Sequence, residues 1–392
     1  MTVFKYLAIL LLLVLMQPAI AQIRVSGSLQ SSLYSLETQP AGSQSNFYQG
    51  MQLKVSPAGN PDVYLSTYFR VAKVKDVDWD EQFYNLYLNW KIAKKRLQFR
   101  LGRQFLYDGV INGTMDGLLV TVQPTQKLNL KAFAGLETPF NRDFQTVNSD
   151  SNAIGGYASY RFSRGFNANV SYFRRERNDQ TVWQIIGAAL HGVYKDNLYY
   201  QAQIDHNLES GEIQGMRYRL NYYYQNWSFS GEFNNQKPRI FEDSFFRIFE
   251  QEAFNQIRGG VTYRINQYQV GLQYLLTSYE KDETHQLIAN LGNRWGLVGL
   301  VFQDGYAGDN IGIYGDVRYP VIPQLTVKLY SSYYNFQRHL VEIDENATAF
   351  SGGFDFRPVK FLSIQAEVQE SINSFYDNDL RGLFRLLYFF KK

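Results

Sequence analysis

The chain has 392 residues, and its 39 basic and 36 acidic side chains leave a formal charge of +3. This near balance gives no indication of a nucleic-acid partner. The absence of cysteine excludes disulfides and cysteine-ligated zinc or iron–sulfur centres. Aromatic residues make up 16% of the chain, with 30 tyrosines and 29 phenylalanines, whereas only 45% of all residues are hydrophobic.

The first element in chain order is an apolar N-terminal segment. Lys5 precedes the apolar run from Leu7 to Met16, and Ala19-Ile20-Ala21 follows it. This order is typical of a secretory signal peptide that is cleaved before Gln22. The run is shorter than the ~20 apolar residues of a membrane-spanning helix, which argues against a membrane anchor. We expect residues 1–21 to be a signal peptide and residues 22–392 to form one domain.

Beyond residue 21, large apolar or aromatic residues alternate with polar ones. Residues 219–233 (RLNYYYQNWSFSGEF) show this alternation on both sides of Gln225-Asn226. Because alternate side chains of a strand point to opposite faces, the stretch predicts a hairpin with one apolar and one polar face. A two-residue turn at Gln225-Asn226 sets Tyr224 opposite Trp227 and Arg219 opposite Glu232.

Similar segments recur along the whole chain, and their length and alternation predict a transmembrane antiparallel β-barrel. We expect about 22 strands, or 18 to 20 if weak segments such as 287–291 and 297–302 fail. The predicted strands are 23–34, 47–55, 63–71, 84–92, 97–101, 118–122, 128–136, 154–162, 166–172, 182–194, 198–204, 216–224, 227–233, 257–265, 268–276, 287–291, 297–302, 311–319, 325–333, 350–356, 362–368 and 383–390.

The predicted connections alternate between short and long. The short ones are mostly basic and include 57–60, 93–95, 124–126, 163–165, 195–197, 225–226, 266–267 and 357–360. The long ones are rich in acidic residues and include 37–46, 73–82, 105–114, 137–152, 237–256, 279–284 and 337–346. Outer-membrane barrels have short periplasmic turns and longer extracellular loops, so we expect the short connections to be periplasmic. A soluble β-sandwich or propeller gives no reason for this alternation.

Two further features resemble outer-membrane porins. Residues 383–390 (LFRLLYFF) are similar to the C-terminal strand that outer-membrane barrels present to the barrel-assembly machinery. Leu101-Gly102-Arg103-Gln104, followed by Asp116-Gly117, resembles a strand–loop–strand element of alginate-export-type and related specific porins. The resemblance implies a barrel in the outer membrane of a Gram-negative-type envelope. It also implies contact with lipid and with the assembly machinery, and passive diffusion of small hydrophilic solutes.

The polar face of the predicted strands carries more cationic than acidic side chains, together with many tyrosines. Arginine rings in a pore favour anions, and tyrosines can stack on sugars while donating hydrogen bonds, so we expect anionic or sugar-like solutes to be favoured. The same side chains could instead serve only to satisfy each other within the barrel. The candidate pore-lining residues are Arg70, Arg100, Arg161, Arg217, Arg219, Glu232, Arg258, Arg264, Tyr87 and Tyr223.

The longest predicted connection, residues 237–256 (KPRIFEDSFFRIFEQEAFNQ), contains five phenylalanines. Such an apolar segment is unfavourable as a free loop in water, so we expect it to fold into the barrel mouth as a constriction loop. A surface role such as trimer packing is the alternative, and the oligomeric state stays open. The residues expected to line the opening are Arg239, Glu242, Asp243, Arg247 and Glu250.

Catalytic chemistry has little support in the sequence. The chain contains four histidines, His191, His206, His285 and His339, and none belongs to a spaced pair typical of metal ligands. We find no phosphate-binding loop, and we predict no catalytic residue, metal or cofactor. Two alternatives to a porin stay open: a closed structural or surface-interaction barrel whose loops bind a partner, and an outer-membrane hydrolase.

Overall fold

The computed structural model of the protein describes residues 23–38, 42–74, 78–143, 148–241, 253–306, 308–338, 343–374 and 376–391, so the predicted signal peptide lies outside the described residues. The described chain forms 22 strands. They are β1 Ile23–Thr38, β2 Gly42–Pro57, β3 Val63–Val74, β4 Asp80–Ile92, β5 Leu97–Asp108, β6 Ile111–Val122, β7 Leu128–Glu137, β8 Ser151–Ser163, β9 Phe166–Arg177, β10 Gln180–Tyr194, β11 Leu198–Asn207, β12 Glu212–Tyr224, β13 Trp227–Gln236, β14 Phe254–Ile265, β15 Tyr268–Ser278, β16 Glu283–Asn293, β17 Gly296–Gly305, β18 Asp309–Ile322, β19 Leu325–Arg338, β20 Ile343–Val359, β21 Leu362–Asn373 and β22 Tyr376–Lys391. No helix in these ranges is long and apolar enough to cross a membrane.

Every strand pairs antiparallel with the next one, and β22 returns to pair with β1. The closing register sets Ser26 opposite Lys391 and Leu36 opposite Arg381. A closed barrel has no free edge, and its backbone donors and acceptors are paired between strands as a lipid environment requires. The predicted fold class is therefore confirmed, and the two segments with the weakest pattern are strands β16 and β17.

The strand registers align the alternating patterns of neighbouring strands into two continuous faces. On one face Leu198 lies opposite Tyr222, Tyr222 opposite Phe229, and Phe229 opposite Val261. The predicted hairpin register is confirmed, since Arg219 lies opposite Glu232 with its Nε 2.7 Å from Oε2. A membrane barrel presents its apolar band outward, so the ladder through Tyr222 is the outer face and Arg219 lies on the luminal face.

Exposed aromatic residues mark one end of the outer face. Trp90 packs on Phe99, Phe162 on Phe166, and Trp227 on Tyr263, with ring centroids 6.1, 4.9 and 4.4 Å apart. All three pairs lie next to short connections at what we call the short-turn end of the barrel. They match the aromatic girdle that borders the hydrocarbon core of a membrane.

The connections at the opposite end, which we call the long-loop end, are shorter than predicted. Four of them reduce to 39–41, 75–79, 109–110 and 339–342, because the flanking strands continue into the predicted loops. β2 has 16 residues, more than the ~9–11 that span a membrane. The polar residues of these extensions satisfy one another across strands; for example, Ser45 Oγ donates to Ser35 Oγ at 3.4 Å. Among the connections between the described strands, only 138–150 and 237–253 are longer than ten residues.

Candidate functional site: the lumen and an inward-folded hairpin

The upper part of the β5–β6 hairpin folds into the barrel, and we call residues 104–115 the inner hairpin. At its tip the Val110 backbone N–H donates to Ser171 Oγ of β9 at 3.0 Å. Strands β7 and β8 separate β6 from β9 in the wall. Ser171 alternates with Val170, which pairs with Ala188 on the outer face, so Ser171 lies on the luminal face. The tip therefore reaches β9 by crossing the luminal side of β7 and β8.

An apolar cluster holds the inner hairpin against the wall. The hairpin contributes Leu106, Val110, Ile111 and Met115, and each side chain of the cluster is at most 6% exposed. The wall contributes Leu119, Phe133, Ala153, Phe173, Trp183 and Ile185. The luminal face of β7–β10 is thus a covered core at this level and not a wetted surface, which the sequence pattern did not predict. Removal of this apolar surface from water stabilises the folded-in position.

Three glycines at partner positions mark the bend. Gly102 lies opposite Gly117, and Gly117 lies opposite Gly135. Gly102 has φ +120°, and a Cβ atom there would lie 2.3 Å from the Leu86 carbonyl oxygen. A Cβ atom on Gly117 would lie 2.3 Å from the Ala134 carbonyl oxygen. Only residues without a side chain permit this close approach and this backbone conformation.

Arg103 fixes the base of the inner hairpin. Its side chain is 6% exposed, and its Nε and Nη2 donate to the two carboxylate oxygens of Asp116, both at 2.8 Å. Its Nη1 also donates to the carbonyl oxygens of Arg142 and Asp143, each at 3.0 Å. A guanidinium group suits such planar, bidentate recognition.

The same contacts seal the wall where the hairpin leaves it. Pairing between β4 and β5 ends at Leu86 and Arg103. Beyond that point the Phe83 N–H donates to the Arg142 carbonyl at 3.0 Å, so residues 138–143 bond to the edge of β4 that β5 has left. The sequence indicated Leu101-Gly102-Arg103-Gln104 only as a resemblance and predicted 105–114 as a long polar connection. That loop prediction is wrong, because the apolar residues of the segment need a covered surface.

The ten predicted pore-lining residues all lie on the luminal face by strand register. Arg217, Arg219 and Arg258 meet around Glu232, which Arg219 Nη2 approaches to 2.7 Å and Arg217 Nε to 3.6 Å. Arg258 is the direct partner of Glu232 on the next strand. The register places the others opposite polar residues: Arg70 opposite Gln82, Arg100 opposite Asn89, Arg161 opposite Asn167, Arg264 opposite Gln269, Tyr87 opposite Ser66 and Tyr223 opposite Ser228.

A row of alternating cations and aromatic rings crosses the luminal face of β2–β5, and we call it the cation–tyrosine row. Lys54 Nζ lies 3.9 Å from the ring centroid of Tyr64, and the Tyr64 and Tyr87 centroids are 6.4 Å apart. The Arg100 guanidinium lies 4.7 Å from the Tyr87 ring. In the described residues neither Lys54 nor Arg100 has a carboxylate within 4 Å. The sequence pattern predicted Arg100 and Tyr87 on this face but not Lys54, which lies near a short turn.

The predicted constriction loop is described only at its two ends. Phe241 packs on Trp183 with centroids 5.6 Å apart, and the Arg175 guanidinium lies 4.8 Å from its ring, so the start of the loop joins the luminal cluster. Gln214 Nε2 donates to the Lys237 carbonyl at 2.8 Å and thereby positions Arg239. Arg239, Asp205 and Arg217 line a recess of about 110 Å³ in the luminal wall. Glu242, Asp243, Arg247 and Glu250 lie outside the described residues.

Comparison with known proteins decides the family. The model of the Gram-negative porin family matches residues 8–375, which is most of the chain. The chain belongs to the Gram-negative porin family. No curated protein sequence matches this porin.

The solved structures to which the chain is similar have very different sequences. The P pilus usher (PapC) translocation pore is 9% identical, with 93% of this chain and 99% of that chain covered and a TM-score of 0.54. OccAB1 of Acinetobacter baumannii is 13% identical, with 94% and 96% covered and a TM-score of 0.48. A BenF-like porin from Pseudomonas fluorescens Pf-5 is 11% identical, with 94% and 99% covered and a TM-score of 0.46. At such identities the likeness concerns the fold alone.

Membership of this family establishes the location and the general activity of the porin. It lies in the outer membrane, contacts membrane lipid and allows small hydrophilic solutes to pass by diffusion. The predictions of a porin and of its outer-membrane location are confirmed. The luminal face described above is the surface that such solutes meet.

The histidines of this porin are scattered over the barrel. His206 follows Asp205 on β11, and His191 lies 3.4 Å from Asn167 on the luminal face. His285 Nδ1 lies 2.6 Å from the Tyr274 hydroxyl and Nε2 lies 3.2 Å from Glu283. His339 lies outside the described residues, and within the described ranges no group of three or more His, Asp and Glu side chains could hold a metal ion.

Proposed function

We propose that the porin favours small anionic solutes, including acidic sugars, and that the ten predicted pore-lining residues line their path. The observation that carries the proposal is the excess of unpaired cations on the luminal face. Lys54, Arg70 and Arg100 have no carboxylate partner among the described residues, and around Glu232 one carboxylate faces three arginines. Charge rings of one sign set the ion preference of a pore.

The aromatic residues beside these cations support the sugar-like part of the proposal. The Arg70 guanidinium lies 5.2 Å from the Tyr48 ring and 5.5 Å from the Tyr84 ring. Tyrosine offers an apolar ring to a sugar face and a hydroxyl group to sugar hydroxyls. A sugar that carries a carboxylate can therefore contact a guanidinium group and a tyrosine ring side by side on this wall.

The test is ion selectivity in planar bilayers. Under a KCl gradient we expect the reversal potential to show chloride preference, and Lys54→Gln with Arg100→Gln to move it toward the value of an unselective pore. The matched control is Lys281→Gln, which removes a cation from a connection at the long-loop end and leaves the lumen unchanged. Potassium preference in the unmodified porin, or equal shifts in variant and control, would contradict the proposal.

A closed barrel is the competing function, because the inner hairpin fills part of the lumen. Stepwise single-channel current supports an open pore, whereas a folded barrel that conducts no current supports closure.

We propose further that this porin has no catalytic activity. His285, which has both a hydroxyl and a carboxylate partner, lies on the same face as Leu287, outside the lumen. Ester hydrolysis by the purified porin that is lost in His285→Ala would overturn this view.

We also propose that residues 1–21 are removed on export and that the barrel-assembly machinery recognises residues 383–390. This strand carries Phe384, Tyr388 and Phe390 and closes the barrel on β1. N-terminal sequencing of the mature porin should begin at Gln22. Replacing Phe390 with alanine should lower the amount of folded barrel in the membrane without changing synthesis.

A further inference from the structure

The short-turn end of the barrel carries a collar of exposed cations. The ten connections at this end contain eight basic residues and two acidic ones, Asp62 and Asp196. All eight basic side chains are exposed. We call them the basic collar: Lys94, Lys95, Arg96, Lys127, Arg164, Lys195, Arg294 and Lys360.

The opposite end has the reverse balance. Its described connections contain seven acidic residues, Asp78, Asp143, Asp150, Asp179, Glu209, Glu280 and Asp282, against four basic ones, Arg142, Lys237, Arg239 and Lys281. The charge difference between the two ends is therefore built into the connections and does not follow from the net charge of +3.

The collar cations have almost no ionic partners among the described residues. In the described ranges only Lys95 forms an ion pair, with Asp62 at 3.6 Å, and its side chain is 65% exposed. An ion pair this exposed contributes little. The collar cations are therefore available to bind anionic groups outside the protein.

Two contacts place the collar at the depth of lipid headgroups. The Arg294 guanidinium lies 4.2 Å from the Trp295 ring, and Lys195 Nζ lies 5.3 Å from the Tyr194 ring. Aromatic rings at the ends of barrel strands lie at the membrane–water boundary. Cations next to that boundary extend their charged groups into the headgroup layer.

The collar also follows the wall around the barrel. Its members lie on six connections, from the turn between β4 and β5 to the turn between β20 and β21. A protein partner or a single cell-wall strand would favour one patch, whereas lipid surrounds the whole wall. Clusters of lysine and arginine at a membrane surface attract anionic lipids.

We propose that the basic collar binds anionic phospholipid headgroups and so recruits a shell of these lipids around the short-turn end of the barrel. The phosphate of phosphatidylglycerol carries a net charge that an unpaired guanidinium or ammonium group neutralises. The phosphate of phosphatidylcholine is already balanced within its own headgroup. With the short turns on the periplasmic side, as in other outer-membrane barrels, the shell lies in the phospholipid leaflet of the outer membrane.

The tryptophans allow a direct measurement. Trp90, Trp227 and Trp295 lie at the short-turn end, whereas Trp79 lies at the long-loop end and Trp183 in the buried cluster. The purified full-length porin is reconstituted in phosphatidylcholine bilayers that contain increasing amounts of brominated phosphatidylglycerol or brominated phosphatidylcholine. Bromine quenches nearby tryptophan, so the two curves give the relative affinity of the lipids. We expect about a threefold preference for phosphatidylglycerol at low salt, falling as salt screens the collar.

Variants separate the collar from general charge effects. Replacing all eight collar residues with glutamine should bring the preference for phosphatidylglycerol over phosphatidylcholine to about one, because the cations that attract the anionic lipid are gone. A matched pair removes two charges at each end: Lys94→Gln with Lys127→Gln should weaken the preference, and Lys237→Gln with Lys281→Gln should leave it unchanged. Heat-dependent gel migration verifies that each variant forms a folded barrel, and the two-site pair decides the question if the eight-site variant does not fold.

Three results would overturn the proposal. They are equal quenching by both lipids in the unmodified porin, an unchanged preference in the folded eight-site variant, and equal losses in the two matched variants. A porin that shows no lipid preference but sediments with purified peptidoglycan sacculi would assign the collar to the cell wall and also reject the lipid shell.

Discussion

The luminal faces of two sectors of the same barrel differ in what covers them. In β7–β10 the luminal side chains Phe133, Phe173 and Ile185 are at most 5% exposed beneath the inner hairpin. In β12–β14 the luminal side chains of Arg217 and Arg219 are more than 40% exposed. Both sectors use the same antiparallel ladder and the same alternation. The difference teaches that the inner face of a barrel becomes a hydrophobic core wherever the chain itself supplies a second layer.

The largest effect is expected from opening the covered sector. Phe173→Ala should lower the free energy of unfolding by about 3–5 kcal/mol, because it leaves a cavity between hairpin and wall. It should also raise single-channel conductance as the inner hairpin loosens. Urea titration followed by tryptophan fluorescence, to which Trp183 of the cluster contributes, measures the first effect.

The matched control is Phe229→Ala on the outer face, where the side chain is 43% exposed to lipid. It removes the same atoms but should leave the conductance unchanged. Equal effects of the two variants on stability and conductance would mean that the covered sector is not a core.

The next largest effect concerns the base of the inner hairpin. Arg103→Gln removes the guanidinium hydrogen bonds to Asp116 and to the Arg142 and Asp143 carbonyl groups and should cost about 1–3 kcal/mol. Arg103→Lys keeps the charge but not the bidentate geometry and should recover only part of this loss. The midpoint of urea unfolding measures both losses of stability. Unchanged stability in Arg103→Gln would mean that Arg103 does not fix the base of the inner hairpin.

The smallest effect on stability belongs to the open sector. Glu232→Gln breaks ion pairs with two arginines whose side chains are more than 40% exposed, so its effect on unfolding should be about 0–1 kcal/mol. The same change removes the carboxylate among Arg217, Arg219 and Arg258 and should increase chloride preference in the reversal potential. A large loss of stability with unchanged ion selectivity would contradict the description of β12–β14 as an open, solvated sector.

The open sector could be predicted from the sequence to the level of individual pairs. The turn at Gln225-Asn226 and the alternation around it fix the register that sets Arg219 opposite Glu232. Which residues pair across neighbouring strands depends on the order of residues around the turn and on the need to keep one face apolar. Both can be read from the sequence. The count of 22 strands follows from the same regularity.

The covered sector could not be predicted, for two physical reasons. Leu106, Ile111 and Met115 fall on positions that should be wet, and only the tertiary structure shows that β9 and β10 cover them. Asp108 and Asn112 resemble loop residues, yet they lie on strands that continue into the inner hairpin, where Lys131 Nζ lies 2.6 Å from Asp108. Gly102, Gly117 and Gly135 become a row only once the register is known.

The contact between Val110 and Ser171 also constrains the order of events during biogenesis. The two residues are 61 positions apart, and the apolar wall that receives the hairpin includes Trp183 and Ile185 of β10. The hairpin can therefore reach its docked position only once β9 and β10 are in place. Until then its leucine, isoleucine and methionine side chains face water inside an unfinished barrel. Apolar surface that is exposed in this way during assembly favours aggregation.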